Sequence, residues 1–519
     1  MTREEKSPDK ALYKRLRVLT SEQLWEEEVP RFDRATSEER IKNVSLIRAV
    51  GVVFSESGSE EEKSVVRPWL HRLLKDPAEK IRRYAMAAIP KIGAGPKEEE
   101  ELLSLWQTTT LEREKKFLGE TLNKIGGSVT LKILQQSPGE APLRTQQKVQ
   151  ANVARSERPS ALRMDQVLAD FSGLRIHLRG RRGLEEIVRE EIEETSGNRR
   201  KFRVLEVRSG LVVIAPVVPF SLSDLYAFRC FDTVGFVLGE VGLQDDAEAT
   251  EAFAQVIASK LAQRVFESFT EGSMRYRLNF VAKGHQRAAV RQIADRAYAL
   301  APHILNDARN APWAVDIHPA GAKSSIELRP KLTPDPRLFF RQQDVPAASH
   351  PPLASCMARL SGKADDEIVW DPFCGSGLEL IERSLLGGVR QIYGSDRSEE
   401  AIGITKTNFA AANLPSVKSR FTCCDFRDFG QAEQLGPNSL SLIITNPPMG
   451  KRVPIRDLDQ LIADLFRAAA TMLKPGGRLV FANPLRTEPR QRALKLQTRR
   501  IVDFGGFNCR MEKYIKVAE

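Results

Sequence analysis

The sequence predicts a multidomain protein in which an all-helical part, an α+β part and an α/β part with a mostly parallel sheet follow one another. A length of 519 residues exceeds what one core supports, because single cores stop growing beyond about 250 to 300 residues. Apolar residues recur at helical spacing early in the chain, whereas strands and helices alternate towards its end. These observations predict domains at residues 1–136, 167–331 and 332–519, with a linker at 137–166.

The composition is typical of a folded protein that neither spans a membrane nor is exported. Hydrophobic residues make up 41% of the chain, and no apolar run approaches the roughly 20 residues of a membrane span. The first stretch, MTREEKSPDKALYKR, mixes acids and bases, which is typical of neither a signal nor a transit peptide and predicts a cytoplasmic location. The six cysteines lack the paired spacing of zinc sites, so no metal is predicted. A net charge of +11 favours a polyanionic partner such as nucleic acid.

Residues 1–136 are predicted to form helices built from a repeated unit. Apolar residues such as Ile41, Val44 and Ile47 fall on one helix face. Three segments resemble one another at a spacing of about 33 to 40 residues, as stacked helical hairpins require: SEERIKNVSLIRAVG from Ser37, DPAEKIRRYAMAAIPKIG from Asp76 and TLEREKKFLGETLNKIGG from Thr110. The second segment resembles a HEAT repeat, which implies a surface for a protein partner. An ordinary helical bundle is the alternative.

A basic linker is predicted at residues 137–166, which are rich in Pro, Ser, Gln and Arg and lack apolar periodicity. Beyond it, strands and helices alternate without repetition, starting with LRIHLRG from Leu174 and GLEEIVREEIEE from Gly183. The order of these elements and the Arg-Gly-Leu-Glu start resemble a THUMP domain with a preceding ferredoxin-like layer. The resemblance implies that residues 167–331 bind RNA.

The last third of the chain opens with EIVWDPFCGSGLELIERSLLGG from Glu367, a strand, a glycine-containing turn and a helix. Asp371 ends the strand, and Gly375 and Gly377 let the backbone turn tightly so that a ligand can approach the helix N-terminus. These three residues are predicted to bind a cofactor. Leu380 stands where a dinucleotide-binding G-x-G-x-x-G motif has its third glycine, which argues against NAD.

Two further acids follow the next two strands. Asp396 ends the strand QIYGSD, about 20 residues after the glycine turn, where doubly wound folds place the acid that binds ribose hydroxyls. The strand SRFTCCDFRDF is predicted to end at Asp425, which can accept a hydrogen bond from an adenine amino group. Three acids at successive strand ends predict a cofactor that contains adenosine.

The fourth strand runs into the sequence SLSLIITNPPMGKR. Together, DPFCGSG, Asp396, Asp425 and NPPMG from Asn446 resemble the motifs of class I amino-methyltransferases. The form NPPMGKR and the segment LTPDPRLFFRQQDVPAASHPPLA resemble the THUMP-containing RNA guanine-N2 methyltransferases, over residues 337–519. This resemblance implies a Rossmann-like domain, S-adenosylmethionine as cofactor and RNA as substrate, with tRNA favoured over rRNA.

The same resemblance gives catalytic roles to Asn446, Pro447, Pro448 and Met449, with Asn446 also beside the cofactor. An exocyclic base amine is a poor nucleophile because its lone pair is delocalised into the ring. The Asn446 side-chain oxygen and the Pro447 carbonyl can accept the two amine hydrogens and so aim the lone pair at the methyl group. Pro447 and Pro448 fix φ and remove backbone donors.

Met449 departs from the family pattern, which has Tyr or Phe there to stack on the base. Methionine gives up part of a stacking energy of about 1 to 3 kcal/mol. The Asn-Pro-Pro turn leaves two alternatives open, a methyltransferase for adenine N6 in DNA or RNA and one for protein glutamine. Met449 favours a third, a non-catalytic RNA or protein scaffold with a vestigial pocket. The THUMP-like part and the form NPPMGKR favour the RNA guanine-N2 enzyme.

Overall fold

The structure, a computed structural model, describes residues 8–93, 95–136, 149, 153, 159–194, 201–242, 246–281, 286–346, 348–450, 457–486 and 491–518. The chain divides into two units, Met1–Pro159 and Ser160–Glu519. Most of the predicted linker lies outside the described residues, as do Lys451 and Arg452 of the NPPMGKR motif.

The first unit is helical, as the sequence predicts. Three of its helices, Ser45–Ser57, Glu79–Ile92 and Glu112–Ile125, each overlap one of the three similar segments, and the middle helix packs against both others. The other helices, including one π-helical turn at Leu24–Glu28, are Pro8–Leu16, Ser21–Gln23, Val29–Arg34, Ser37–Lys42, Glu60–Leu74, Pro96–Thr108 and Ser128–Gln135. The HEAT-like character of this unit stays a prediction.

The second unit contains seventeen strands among its described residues: β1 Ser160–Leu162, β2 Arg175–Arg179, β3 Phe202–Arg208, β4 Leu211–Pro216, β5 Thr233–Gly242, β6 Thr270–Gly272, β7 Met274–Phe280, β8 Ile304–Asn306, β9 Trp313–Ala320, β10 Lys323–Pro330, β11 Glu367–Asp371, β12 Val389–Asp396, β13 Lys418–Cys423, β14 Leu440–Thr445, β15 Leu473–Asn483, β16 Leu494–Asp503 and β17 Asn508–Lys516. Its helices are Glu185–Glu194, Leu222–Leu225, Asp246–Ile257, Lys260–Phe269, Arg287–Leu300, Pro351–Ser361, Leu378–Leu385, Glu399–Ala412, Phe429–Ala432 and Leu458–Met472, with a 3-10 turn at Pro336–Leu338. Across all described residues, no helix combines the length and the apolar character that crossing a membrane requires.

An eight-stranded mixed sheet of order β3-β4-β2-β5-β10-β9-β7-β8 forms the first part of this unit, here called the eight-stranded module, residues 160–331. Strand β1 lies within the stretch predicted as linker and pairs with β6, and the boundary between the two units falls after Pro159. The module therefore starts earlier than residue 167. Sequence patterning missed β1 because it is short and its partner strand is far along the chain. The THUMP-like character of the module stays a prediction.

The second part, here called the seven-stranded domain, residues 332–518, has the strand order β13-β12-β11-β14-β15-β17-β16. The first five strands are parallel neighbours, while β17 runs antiparallel to both β15 and β16. The predicted mostly parallel sheet is confirmed. The strand order reverses between β11 and β14, which is the position where doubly wound sheets bind ligands.

Both faces of the central strands β11 and β14 are buried, as apolar runs in parallel strands require, whereas the edge strand β13 is largely exposed. Alternate residues of β11 and β14 point to opposite sides: Trp370 and Ile443 pack towards helix Leu458–Met472, whereas Val369 and Leu442 join a core that continues into the eight-stranded module. This shared core explains why the structure has two compact units where the sequence predicts three domains.

Candidate active site

The carboxyl ends of the parallel strands bring most of the predicted site residues to one sheet edge. Asp371 and Asp396 are the last residues of β11 and β12, and Asn446 follows the last residue of β14. The third strand, β13, ends at Cys423, so Asp425 lies two residues beyond the strand rather than at its end as predicted. The backbone bends at Cys424, whose amide donates to the Asp396 carbonyl.

Asp371 is fully buried and has one carboxylate oxygen without a partner. Its Oδ1 accepts hydrogen bonds from the Thr445 hydroxyl at 2.5 Å and from the Phe373 amide at 3.0 Å. Its Oδ2 is buried and has no hydrogen-bond partner among the described residues. Burial, and then the nearby Glu379 carboxyl, raise the pKa of Asp371 well above its usual range. A cationic ligand beside Oδ2 would stabilise the ionised form.

The glycine turn after β11 has the backbone that its glycines allow. Gly375 has φ of +52° and Gly377 has φ of +80°, in the left-handed region. A Cβ on Gly377 would also lie 2.9 Å from the Thr405 methyl carbon. The Thr405 hydroxyl donates to the Gly375 carbonyl at 2.8 Å, and the Gly375 amide donates to Asp396 Oδ2 at 3.1 Å. These hydrogen bonds hold the turn to the end of β12 and to helix Glu399–Ala412.

Asn408 fastens the same turn to the segment before the seven-stranded domain's first strand. Its Nδ2 donates to the Ser376 and Gln343 carbonyls, both at 2.9 Å. Its Oδ1 accepts from the Gln342 and Gln343 amides at 2.9 and 3.0 Å. The NH₂ group and the oxygen of this buried amide both form hydrogen bonds, so Asn408 holds in place the segment that leads to Ser349.

Asn446 presents one free amide oxygen. Its Nδ2 donates to the Ser349 Oγ at 2.8 Å, while its Oδ1 is buried without a hydrogen-bond partner among the described residues. Ser349 in turn donates to the Glu379 carboxylate. Pro447 is buried, and Pro448 and Met449 are half-buried, so all three keep the backbone after Asn446 close to the sheet edge.

Asp425 has a local partner that sequence reasoning did not consider. The Arg427 amide donates to its Oδ1 at 3.0 Å and the Arg427 Nη1 donates to its Oδ2 at 2.9 Å. Arg427 also binds Asp464 on the helix that packs on this face, with Nε 2.6 Å from Oδ2. A carboxylate has further lone pairs, but an adenine amino group here shares Asp425 with this arginine.

Four side chains at this edge were not predicted: Ser349, Glu379, Thr405 and Asn408. Ser349 lies in the family-like segment LTPDPRLFFRQQDVPAASHPPLA, which could have drawn attention to it. Glu379 lies two residues after Gly377, on the first turn of the helix that follows, and is 4% exposed. An acid among the apolar residues of this helix is the signal that could have found it. Among the described residues, His, Cys, Asp and Glu side chains nowhere gather in threes as metal ligands.

Comparison with known proteins relates residues 339–513 to methyltransferases. Residues 339–513 match the UPF0020 family model, described as the RMKL-like, methyltransferase domain. Over 135 residues the chain is 31% identical to "Probable tRNA (guanine(10)-N2)-dimethyltransferase" of Methanothermococcus thermolithotrophicus, covering 25% of this chain and 78% of that protein. Over 157 residues it is 32% identical to the tRNA (guanine(10)-N2)-dimethyltransferase of Methanothermobacter thermautotrophicus, covering 29% of this chain and 42% of that one.

The fold has solved counterparts that extend beyond the seven-stranded domain. TrmN from Thermus thermophilus matches 66% of this chain and 100% of its own with a TM-score of 0.52 and 20% identity. A Clostridium difficile protein described as a possible methylase matches 66% of this chain and 98% of its own, with a TM-score of 0.52 and 17% identity. At these identities the likeness concerns the fold alone.

The seven-stranded domain thus has a class I methyltransferase fold. The chain belongs to the class I, S-adenosylmethionine-dependent methyltransferases, with an RMKL-like domain at residues 339–513. The residues at the edge fit this cofactor, because Asp371 Oδ2 is an unpartnered buried acceptor that a cationic ligand could satisfy.

Proposed function

We propose that this protein transfers a methyl group from S-adenosylmethionine to an exocyclic amine of RNA, and that the favoured product is N2-methylguanosine in tRNA. The observation that carries the proposal is the Asn446 amide, whose Oδ1 is buried and unpartnered while its Nδ2 is engaged by Ser349. A buried acceptor without a donor is costly, so such an atom is expected where a ligand supplies the donor.

In this proposal the carboxyl ends of β11, β12 and β13 would hold the cofactor. Asp371 and the turn at Gly375 and Gly377 would bind its methionine part, Asp396 would bind the ribose hydroxyls and Asp425 would accept from the adenine amino group. S-adenosylmethionine supplies an electrophilic methyl group carried on a sulfonium sulfur. Asn446 follows Thr445, whose hydroxyl donates a hydrogen bond to Asp371. The end of β14 therefore contacts both the proposed cofactor site and the proposed site of the acceptor amine.

The chain's own residues then act on the acceptor amine. Asn446 Oδ1 and the Pro447 carbonyl accept its two hydrogens, which localises the nitrogen lone pair and directs it. Pro448 adds no donor that could compete for these acceptors. Met449 lies against the face of the base, where a polarizable side chain replaces the usual aromatic ring. The Asn446 and Pro447 oxygens are neutral amide oxygens, too weakly basic to keep a proton, so the proton that the methylated amine loses passes on to water.

Relatives named as tRNA (guanine(10)-N2)-dimethyltransferases support RNA as the substrate class, as does the net charge of +11. We assign RNA positioning to the eight-stranded module, because Arg229 from that module binds Glu382 of the catalytic domain through two hydrogen bonds of 2.7 Å. A module fastened in this way can hold RNA in a fixed register beside the site. We further propose that the helical unit binds a protein partner and that the enzyme acts in the cytoplasm.

Nucleoside mass spectrometry tests this function. Total RNA from a strain lacking the gene is incubated with the purified full-length chain and S-adenosylmethionine carrying a deuterated methyl group. We expect the label in N2-methylguanosine, within the tRNA fraction. Label in N6-methyladenosine would reassign the base, label in protein would reassign the substrate class, and no label in any fraction would support the non-catalytic alternative.

A further inference from the structure

A chain of three side chains runs from the acceptor amide to a buried acid. Asn446 Nδ2 donates to Ser349 Oγ at 2.8 Å, and the Ser349 hydroxyl donates to Glu379 Oε1. The three residues come from the strand end after β14, the segment before helix Pro351–Ser361, and the second residue of helix Leu378–Leu385. No catalytic or cofactor-binding role assigned above belongs to Ser349 or Glu379.

The direction of this chain follows from what each group can donate. While Glu379 is ionised it only accepts hydrogen bonds, so the single Ser349 hydroxyl hydrogen then points to Glu379. The Ser349 oxygen then has only lone pairs to offer, and it can accept from the Asn446 NH₂ group but cannot donate to the Asn446 carbonyl. The amide is therefore held with Nδ2 towards Ser349 and Oδ1 away from it.

We infer that Glu379, acting through Ser349, is a positioning residue that sets the orientation of the Asn446 amide, so that its oxygen faces the substrate amine. The inference rests on the proposed function, in which Asn446 Oδ1 is an acceptor for that amine. The reversed amide would present an NH₂ group to another NH₂ group and would repel it. The direction of two hydrogen bonds thus decides whether the site accepts an amine.

The surroundings of Glu379 determine when it is ionised. It is 4% exposed, and burial raises the pKa of its carboxyl, which the hydrogen bond from Ser349 opposes. The charged groups that act on it are Asp371 at the end of β11 and Glu382 on the same helix, and Glu382 is paired with Arg229. Protonated Glu379 can donate to Ser349. The Ser349 hydroxyl is then free to donate to Asn446, and the direction of both hydrogen bonds can reverse.

Two substitutions and one conservative control test the inference in the full-length protein. Ser349→Ala removes the acceptor for Asn446 Nδ2. Glu379→Gln keeps the shape of the side chain but adds donors that allow the Ser349 hydroxyl to turn round. With RNA from the gene-deletion strain as substrate, each is expected to lower kcat roughly ten- to a hundredfold while KM for RNA stays within about twofold. Ser349→Thr retains the hydroxyl and is expected to retain turnover.

The double variant Ser349→Ala with Glu379→Gln separates positioning from a general effect of charge. If Glu379 acts through Ser349, the double variant is no slower than Ser349→Ala alone, because the route is already broken. Additive losses, or wild-type kcat in either single variant, would overturn the inference. Asn446→Ala serves as the reference: if it too has wild-type kcat, the proposed function fails, whereas slow Asn446→Ala with fast Ser349 and Glu379 variants rejects only this inference.

A second readout needs no RNA. In protein labelled with ¹⁵N-asparagine, the Asn446 side-chain NH₂ signal is identified by its loss in Asn446→Ala. Its hydrogens are expected to exchange slowly with water in the wild type and in Ser349→Thr, and at least about tenfold faster in Ser349→Ala and Glu379→Gln, because the acceptor is lost or reoriented. Equal exchange in all four proteins would show that Ser349 and Glu379 do not hold the amide.

Discussion

The hydroxyl of Thr445 donates a hydrogen bond of 2.5 Å to Asp371 Oδ1, joining the last residue of β14 to the last residue of β11. These two strands flank the point where the strand order of the parallel sheet reverses. The bond therefore links the loop proposed to hold the cofactor to the loop proposed to hold the acceptor. Both residues are fully buried.

Thr445→Val is expected to weaken this link without changing the volume of the side chain. Asp371 would lose one of its two donors inside the protein, and an unsatisfied buried acceptor costs about 1 to 3 kcal/mol. We expect the free energy of unfolding to fall by that amount in urea denaturation and S-adenosylmethionine to bind more weakly. Thr445→Ser keeps the hydroxyl but loses a buried methyl group, so its stability should fall by about 1 kcal/mol while its cofactor affinity resembles the wild type. Equal cofactor affinity of the two variants would contradict this role.

Cofactor affinity is expected to depend on pH through Asp371. Burial raises the pKa of Asp371, and a bound cation favours the ionised carboxyl, so binding displaces a proton. Affinity should be constant above the raised pKa and fall about tenfold for each pH unit below it. Calorimetry in buffers of different ionisation enthalpy measures the proton released. Asp371→Asn should bind more weakly and release no proton; unchanged proton release in that variant would rule Asp371 out.

The ion pair between Arg229 and Glu382 is expected to stabilise the joint between the eight-stranded module and the catalytic domain. Glu382 is 2% exposed, so Arg229→Met leaves a buried charge without its partner, at a cost of about 3 to 5 kcal/mol. Adding Glu382→Leu should recover part of the loss, because the unpaired charge is removed. Chemical denaturation monitored by tryptophan fluorescence checks this. A double variant that loses the full sum of both single effects would show that the two residues act independently.

The ends of the strands could be predicted from sequence, because each is marked by a short apolar run followed by turn residues. A run such as EIVWD followed by a glycine turn marks both the end of β11 and the position of Asp371, and the same reasoning located Asp396 and Asn446. Parallel strands share one carboxyl edge, so these residues could be expected to gather there without knowledge of the fold's details.

The partners of these residues were not predictable by the same means. Ser349 binds Asn446 across 97 positions of sequence and Glu379 across 30, and no periodicity connects such positions. Asp425 illustrates a different limit, because its partner Arg427 is only two residues away but turns back onto it after the strand has ended at Cys423. A nearby arginine such as Arg427 competes for the carboxylate oxygens that a motif assigns to a ligand.

A fragment of residues 160–519 is expected to fold and bind S-adenosylmethionine with an affinity within about twofold of the full chain, since the unit boundary follows Pro159. A fragment of residues 332–519 is the matched control and is expected to aggregate. Its helix Pro351–Ser361 buries Cys356 against the module, with the sulfur 3.7 Å from the Cys230 carbonyl oxygen. If the fragment of residues 332–519 stays soluble and binds the cofactor, the claim that the catalytic domain needs the eight-stranded module to fold is wrong.

The central claim is that the Asn446 amide accepts the hydrogens of the substrate amine, and single-turnover methyl transfer by Asn446→Ala tests it most directly. The enzyme is preloaded with labelled S-adenosylmethionine and mixed with RNA from the gene-deletion strain. We expect the transfer rate to fall by a factor of about one hundred to one thousand, equivalent to the loss of one transition-state acceptor, about 2.7 to 4 kcal/mol. Cofactor affinity measured by calorimetry should change little. Transfer at the wild-type rate by a variant that still binds the cofactor would contradict the claim.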